Sequence, residues 1–294
     1  MRISIIIPAH EAHRFVGDAL DSLAAQQLPS GVSLQAVVVS DDGTDYATHF
    51  TPSRARSVQL IAASTGQVAA GASAARNVGL RHSNGNYVSF LDADDVWLPQ
   101  RACTLLPYAR THGAAVCAMA ITPFGAPVPS PAPTVFATHG LLSPGQALQV
   151  DGGFCPIYRR DCITHLWDES VNFAEDVLFN HRAITEAGGL YVHPEPLMQY
   201  RLRSGSASHD MPHASHRAAR AYSALLSRLA PTRSTCMSTA QLAERFERKR
   251  ALNAAYLHAW AERPALTFET FIRQTGLDCG TNLTAADAGS ASPD

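Results

Sequence analysis

The chain has 294 residues, 46% hydrophobic and 16% charged, with 23 Lys and Arg against 25 Asp and Glu for a formal net charge of −2. That length and apolar content exclude a disordered polypeptide and suit one large domain, or one domain with a smaller appendage. A balance so near neutrality argues against binding nucleic acid by bulk charge, so any anion must be recognised by a few placed residues. The longest apolar stretch, Ala114 to Ile121, is strand-sized, so no membrane-spanning helix is expected. Ile3 to Ile7 is too short for the core of a secretory signal, and Pro8 and Glu11 end it. The cysteines at 103, 117, 155, 162, 236 and 279 form no C-x-x-C pair and read as reduced core thiols of a cytoplasmic protein.

The first hundred residues alternate between two hydrophobic periods. Ile3 to Ile7 is a continuous β-branched run, the pattern of a strand buried on both faces. Residues 11–27 place Phe15, Val16, Ala19, Leu20 and Leu23 on one helical face. Leu34 to Val39 predicts a second strand ending at the turn cluster Ser40-Asp41-Asp42-Gly43, and Val58 to Ala62 a third. Residues 73–82 fit a helix with Ser73 near its N-cap. Tyr87 to Leu91 predicts a fourth strand, ending at Asp92-Ala93-Asp94-Asp95. Pro99 suits the first turn of a helix over 99–112, which Pro107 is expected to kink. Alternating strands and helices imply a parallel α/β sheet.

The second part is less regular. Ala114 to Ile121 reads as a strand, and residues 122–133, with five prolines, as a loop or lid. Phe154 to Tyr158 is expected to be strand and 174–187 helix. From about residue 214 the pattern is helical only. Ser238-Thr239-Ala240-Gln241 has the form of a capping box, and Leu252, Tyr256 and Trp260 share one helical face. The expected division is an α/β domain over 1–210, a helical appendage over 211–279, and a disordered tail over 280–294.

In open α/β sheets, ligands bind beyond the carboxyl ends of the strands. Glu11 follows the first strand, Asp41-Asp42 the second and Asp92-x-Asp94-Asp95 the fourth. Each alone could cap a turn. Three acidic features along one edge repel unless a cation sits among them. Carboxylates two residues apart suit a hard divalent ion such as Mg²⁺ or Mn²⁺, which also bridges phosphate oxygens.

Four motifs then occur in order: Ser4-Ile5-Ile6-Ile7-Pro8-Ala9-His10-Glu11, Val38-Val39-Ser40-Asp41-Asp42-Gly43-Thr44-Asp45, Gly71 to Gly79 with Arg76-Asn77, and Tyr87 to Asp95. Together they resemble family 2 glycosyltransferases of the GT-A fold. Phe173-Ala174-Glu175-Asp176 resembles that family's Glu-Asp motif and extends the likeness to about residue 208. The helical appendage is not covered. The resemblance implies a Rossmann-like, mixed but mostly parallel sheet flanked by helices, its nucleotide half over 1–100 and its acceptor half over 101–210.

The resemblance also implies roles. Pro8, Ala9 and Glu11 match the loop that holds the nucleotide, and Asp42 the aspartate that accepts from the N3–H of uracil. Arg76 matches a residue lying against the nucleotide, Asp92 one near the ribose, and Asp94 the metal-binding aspartate, with Mn²⁺ or Mg²⁺ as its ion. Asp176 matches the catalytic base of inverting members, with Glu175 beside it. The implied donor is a nucleotide-diphosphate sugar, UDP-linked by these matches. The implied acceptor is a carbohydrate or lipid-linked sugar of surface polysaccharide or glycolipid synthesis. One departure concerns Tyr200-Arg201-Leu202-Arg203, where Arg203 stands about where many members have a histidine facing the metal and diphosphate. A guanidinium there could pair with the diphosphate, or be a solvated loop cation.

Other features have plainer readings. His209, His213 and His216 are spaced like metal ligands, but Pro212 interrupts the helix they would need, favouring a surface segment or lid. Arg245, Arg248, Lys249 and Arg250 could touch anionic lipid at the inner membrane face, yet Glu244 and Glu247 among them favour a solvated, salt-bridged face. Cys155 and Cys162 read as core rather than redox groups. The alternatives to a transferase are a non-catalytic nucleotide-binding protein and a sugar nucleotidyltransferase. The latter would want glycine and Lys or Arg after the first strand, which Pro8-Ala9-His10-Glu11 lacks.

Overall fold

A computed structural model describes residues 1–124, 136, 138–150, 154–171, 173–203, 213–230 and 237–276. The expected tail at 280–294 and most of the proline-rich loop lie outside the described residues.

The first half is built as β1 (Arg2–Ala9), α1 (Val16–Ala24), β2 (Ser33–Ser40), α2 (Pro52–Ser57), β3 (Val58–Ser64), α3 (Ala72–His82) and β4 (Tyr87–Phe90). The second adds β5 (Val96–Trp97), α4 (Arg101–His112), β6 (Ala114–Pro123), β7 (Gly140–Leu142), α5 (Pro144–Ala147), β8 (Ile157–Arg159), α6 (Glu175–Ala187) and β9 (Leu190–Leu202). Three helices follow, α7 (His213–Leu229), α8 (Met237–Glu262) and α9 (Phe268–Thr275). The strands form one sheet in the order β3-β2-β1-β4-β8-β6-β9-β5, with β7 also on β9. The long ladders, β1 with β2 and β4, β2 with β3, and β6 with β9, are parallel. The short ladders made by β5, β7 and β8 are antiparallel. This is the mixed, mostly parallel sheet expected.

The β1 run is apolar throughout because both faces are covered. Ile3, Ile5 and Ile7 point to a core with Val16, Leu20 and Leu23 of α1 and Leu105 of α4. Ile6 points to the opposite core, with Val88, Phe90, Trp167 and Phe179. Helix α3 lies close on that side: a Cβ on Gly79 would stand 2.2 Å from Ile6 Cγ2. A third core joins α7 and α8 to Leu148 and to Leu178 of α6, so these helices pack on the second half of the sheet domain.

Several boundaries differ from expectation. Helix α1 starts at Val16, because residues 11–15 are spent on a turn in which Glu11 has φ +49°. Helix α3 has Gly71 as its N-cap, with Ser73 inside the first turn. Helix α4 starts at Arg101, beyond Pro99, and runs through Pro107. Strand β8 starts at Ile157 instead of Phe154, since Pro156 has no N–H for a ladder. Helix α8 starts at Met237, which puts Ser238 inside the helix and not at a cap. Arg245 is not part of a solvated basic face: it is buried, and its guanidinium donates to the carbonyls of Leu148 and Val150. Arg248 does pair with Glu244, at 3.4 Å. Cys103, Cys117, Cys155 and Cys162 are free thiols. Burial and the nearby Asp92 charge push the Cys155 thiol up to about 12, which keeps it protonated and unreactive. Among the described residues no helix is long and apolar enough to cross a membrane.

Candidate active site

The parallel order β2-β1-β4 brings the ends of three strands side by side. The loop after β1 is clamped from β2's end. Asp42 accepts from Glu11 N–H at 2.5 Å, the Tyr46 hydroxyl at 2.8 Å, Thr44 N–H at 2.8 Å and the Ser40 hydroxyl at 3.1 Å. Burial works against its ionisation, but these donors outweigh it and hold the carboxyl well below the usual carboxylate range. Four donors match the lone-pair capacity of one carboxylate, so a uracil N3–H would have to displace one. Asp42 therefore shapes the turn at Glu11, whereas Pro8 and Ala9, expected in that loop, are the last residues of β1 and pair with Val39 and Ser40. Its neighbour Asp41, which no motif assignment used, is buried and accepts from Ala70 N–H, Gly71 N–H and the Thr65 hydroxyl. It fixes the approach to α3.

Helix α3 supplies Arg76, whose side chain is about one-tenth exposed. Its guanidinium donates to Asp92 Oδ1 at 3.0 Å and to Glu175 Oε1 at 3.1 Å, and lies 4.4 Å from the centre of the Trp167 ring. Burial disfavours its charge, but Asp92 and Glu175 more than restore it. Arg76 thus ties the end of β4 to the start of α6. Trp167 carries no motif and is identified only by the fold.

Glu175 and Asp176 open α6, where the helix macrodipole favours negative charge. The preceding residue, Ala174, is left-handed at φ +57° and ψ +21°, strain in a residue with a side chain. Glu11 and Ala69 likewise have positive φ, and each of the three adjoins a loop or helix start of the site. Burial pushes the Asp176 carboxyl up to about 6, and the Glu175 charge adds to this. Arg76 and the Val177 N–H act in the opposite direction.

The turn after β4 closes with Asp95 N–H on Asp92 O at 3.0 Å. Asp95 is buried and accepts from Arg201 N–H at 3.0 Å. Burial and the Asp92 and Asp94 charges push its carboxyl well above the usual range. The Arg201 guanidinium donates to the Asp94 carbonyl and to Asp18 Oδ2. Arg203 donates to Asp94 Oδ2 at 2.7 Å and packs on Phe15, 4.9 Å from the ring centre. The structure therefore places Arg203 against Asp94, partly buried and not as a free solvated cation.

Among the described residues no three His, Cys, Asp or Glu side chains form a metal cage, which includes His213 and His216; His209 lies outside them. Mg²⁺ or Mn²⁺ asks less, taking one or two carboxylates with water and phosphate oxygens completing the shell. Asp94, 21% exposed at the strand-end edge, fits that donor set.

Comparisons with known proteins agree with this fold. The model of "Glycosyl transferase family 2" matches residues 4–167, more than half of the chain. The glucosyltransferase WfgD of Escherichia coli, described as UDP-Glc:alpha-D-GlcNAc-diphosphoundecaprenol beta-1,3-glucosyltransferase, is 29% identical over 34% of this chain and 37% of its own length. The poly(ribitol-phosphate) beta-N-acetylglucosaminyltransferase TarS of Staphylococcus aureus is 30% identical over 32% of this chain and 16% of its own. These matches therefore span well under half the length of either relative. The structure of TarS residues 1–349 in complex with UDP superposes with a TM-score of 0.62 at 17% identity, over 93% of this chain and 78% of that one. A mannosyltransferase from Pyrobaculum calidifontis, solved with GDP-Man and Mn²⁺, gives 0.55 at 18% identity, over 94% of this chain and 79% of that one. The chain belongs to glycosyl transferase family 2 and has its GT-A fold.

Proposed function

We propose that this protein is an inverting glycosyltransferase that moves a sugar from a nucleotide-diphosphate donor, UDP-linked, to a hydroxyl of a carbohydrate or lipid-linked acceptor. The observation that supports it most is the Arg76 bridge. By joining Asp92 to Glu175, it sets Asp176 beside the edge where the strand ends would hold the nucleotide.

Pro8, Ala9, Glu11 and Asp42 line the base side, Arg76 and Asp92 the ribose side, and Arg203 and Asp94 the diphosphate side. A divalent ion on Asp94 would supply charge stabilisation for the departing diphosphate. In the transfer, Asp176 takes the proton of the acceptor hydroxyl while that oxygen bonds to C1 of the sugar. The bond from C1 to the diphosphate oxygen breaks on the opposite face, and nucleoside diphosphate leaves with the electron pair. A carboxyl held near pH 6 is ionised at neutral pH and remains basic enough to receive that proton. The Arg76 charge, with Glu175 held off by its own ion pair, keeps Asp176 from rising further.

The reading is tested by Asp176→Asn. Donor binding should persist while transfer falls by at least about a hundredfold. Transfer at the wild-type rate would remove Asp176 from the mechanism. The names of WfgD and TarS, which act on a diphosphoundecaprenol-linked sugar and on poly(ribitol-phosphate), support a role in surface polysaccharide or glycolipid synthesis.

A further inference from the structure

Asp94 is already engaged by a cation. Arg203 Nε reaches its Oδ2 at 2.7 Å, in a pair whose side chains are 30% and 21% exposed. Such a pair is screened less than one on the open surface. The guanidinium is supported from behind by Phe15. The backbone delivering it is tied to the same turn, since Arg201 bonds both the Asp94 carbonyl and the Asp95 carboxylate. The adjacent carboxylates each give one oxygen to another donor, Asp92 Oδ1 to Arg76 and Asp95 Oδ1 to Arg201 N–H.

A divalent ion approaching Asp94 therefore meets a carboxylate that already holds a guanidinium on one of its two oxygens, Oδ2. Two cations sharing one carboxylate repel, so either Arg203 moves or the ion stays out. If Arg203 leaves alone, its charge stays partly buried beside the incoming ion, which is unfavourable. A diphosphate changes this balance. It provides oxygens for the ion and, on its other side, a bidentate partner for the guanidinium. Charge then alternates from Asp94 to the ion, the diphosphate and Arg203.

We propose that Arg203 competes with the divalent ion for Asp94, so that ion and nucleotide diphosphate are taken up together and Arg203 passes from Asp94 to the diphosphate. This rests on the donor reading above and adds the coupling between the two ligands. It makes Arg203 a positioning residue that suppresses metal binding in the nucleotide-free protein.

The test measures Mn²⁺ binding, by electron paramagnetic resonance or calorimetry, in the wild-type chain and in Arg203→Gln and Arg203→Lys, without and with UDP. Arg203→Gln should bind Mn²⁺ alone at least about fivefold more tightly than wild type, within the range of ordinary coupling between sites. Arg203→Lys, which keeps a charge, should stay closer to wild type. UDP should raise Mn²⁺ affinity strongly in wild type and by a smaller factor in Arg203→Gln. Equal Mn²⁺ affinity of nucleotide-free wild type and Arg203→Gln, with UDP binding intact, overturns the competition and leaves the donor reading standing. Absence of UDP binding in all three folded proteins overturns the donor reading itself.

Discussion

Arg76 and Glu175 stand 99 positions apart in the chain and meet at 3.1 Å, one on the helix before β4 and the other at the first turn of α6. The bond joins the two halves of the domain near the carboxyl ends of the parallel strands. Removing the guanidinium leaves Asp92 and Glu175 without it and lets Asp176 feel more negative charge. Arg76→Met should cost about 3 kcal/mol of stability, as breaking a buried ion pair does. It should also move the acid limb of the transfer rate to higher pH, because Arg76 is one of the groups holding the Asp176 carboxyl down. Chemical denaturation and a pH profile of kcat/KM check the two effects separately.

The raised carboxyl of Asp176 also affects folding. Its native value, about 6, exceeds the unfolded value near 3.8, so between these pH values the folded protein binds more proton. Stability therefore falls as pH rises from about 4 to about 6, and stays lower above that. Asp176→Asn removes this loss. It should raise the stability at pH 7.5 by about 2 kcal/mol, a gain that shrinks toward zero by pH 4. Melting curves of both proteins at the two pH values measure it.

Ala174 holds a left-handed conformation immediately before Glu175. Glycine accepts this geometry freely, whereas a β-branched side chain does not. Ala174→Gly should change stability by less than about 1 kcal/mol, and Ala174→Val should lose about 2 kcal/mol or more. The valine variant should also lose transfer, since α6 would start differently and carry Asp176 with it. Urea denaturation with a transfer assay tests both.

Tyr46 bridges the loop after β1 to Asp42, its hydroxyl accepting from Ala12 N–H and donating to Asp42 Oδ2, both at 2.8 Å. Burial, with the Asp42 carboxylate adding to it, pushes that hydroxyl up to about 12, so it stays a donor. Tyr46→Phe orphans a buried N–H and should cost about 1–3 kcal/mol. Nucleotide affinity should fall as the loop loosens, which titration with UDP measures.

The fold of the first hundred residues was legible because its information is local. A β-branched run ending in Pro8-Ala9-His10-Glu11 or in Asp41-Asp42 states both a strand and its carboxyl end, and parallel order brings those ends together. Arg76 and Asp176 were singled out only through motif resemblance. The contact of Arg76 with Glu175 depends on how α6 packs, which no local pattern records. Trp167 under Arg76, and Arg201 between Asp94, Asp95 and Asp18, gave no sequence signal because their partners lie far along the chain. Arg245 misled for the same reason: helical periodicity put it among surface charges, whereas α8 packs that face on Leu148 and Val150. Where proline or a left-handed residue intervened, as at Pro156 and Glu11, elements began later than their hydrophobic pattern.

All of this depends on the strand-end edge binding a nucleoside diphosphate beside Asp176. The most direct measurement is the shift in melting temperature of the wild-type chain, Asp94→Ala and Asp176→Asn with UDP, GDP or dTDP in the presence of Mn²⁺. Ligand at about a hundredfold over its dissociation constant stabilises by about 2.7 kcal/mol, a shift of several degrees. UDP should stabilise wild type and Asp176→Asn alike and Asp94→Ala far less. A wild-type protein that none of the three nucleotides stabilises would contradict it.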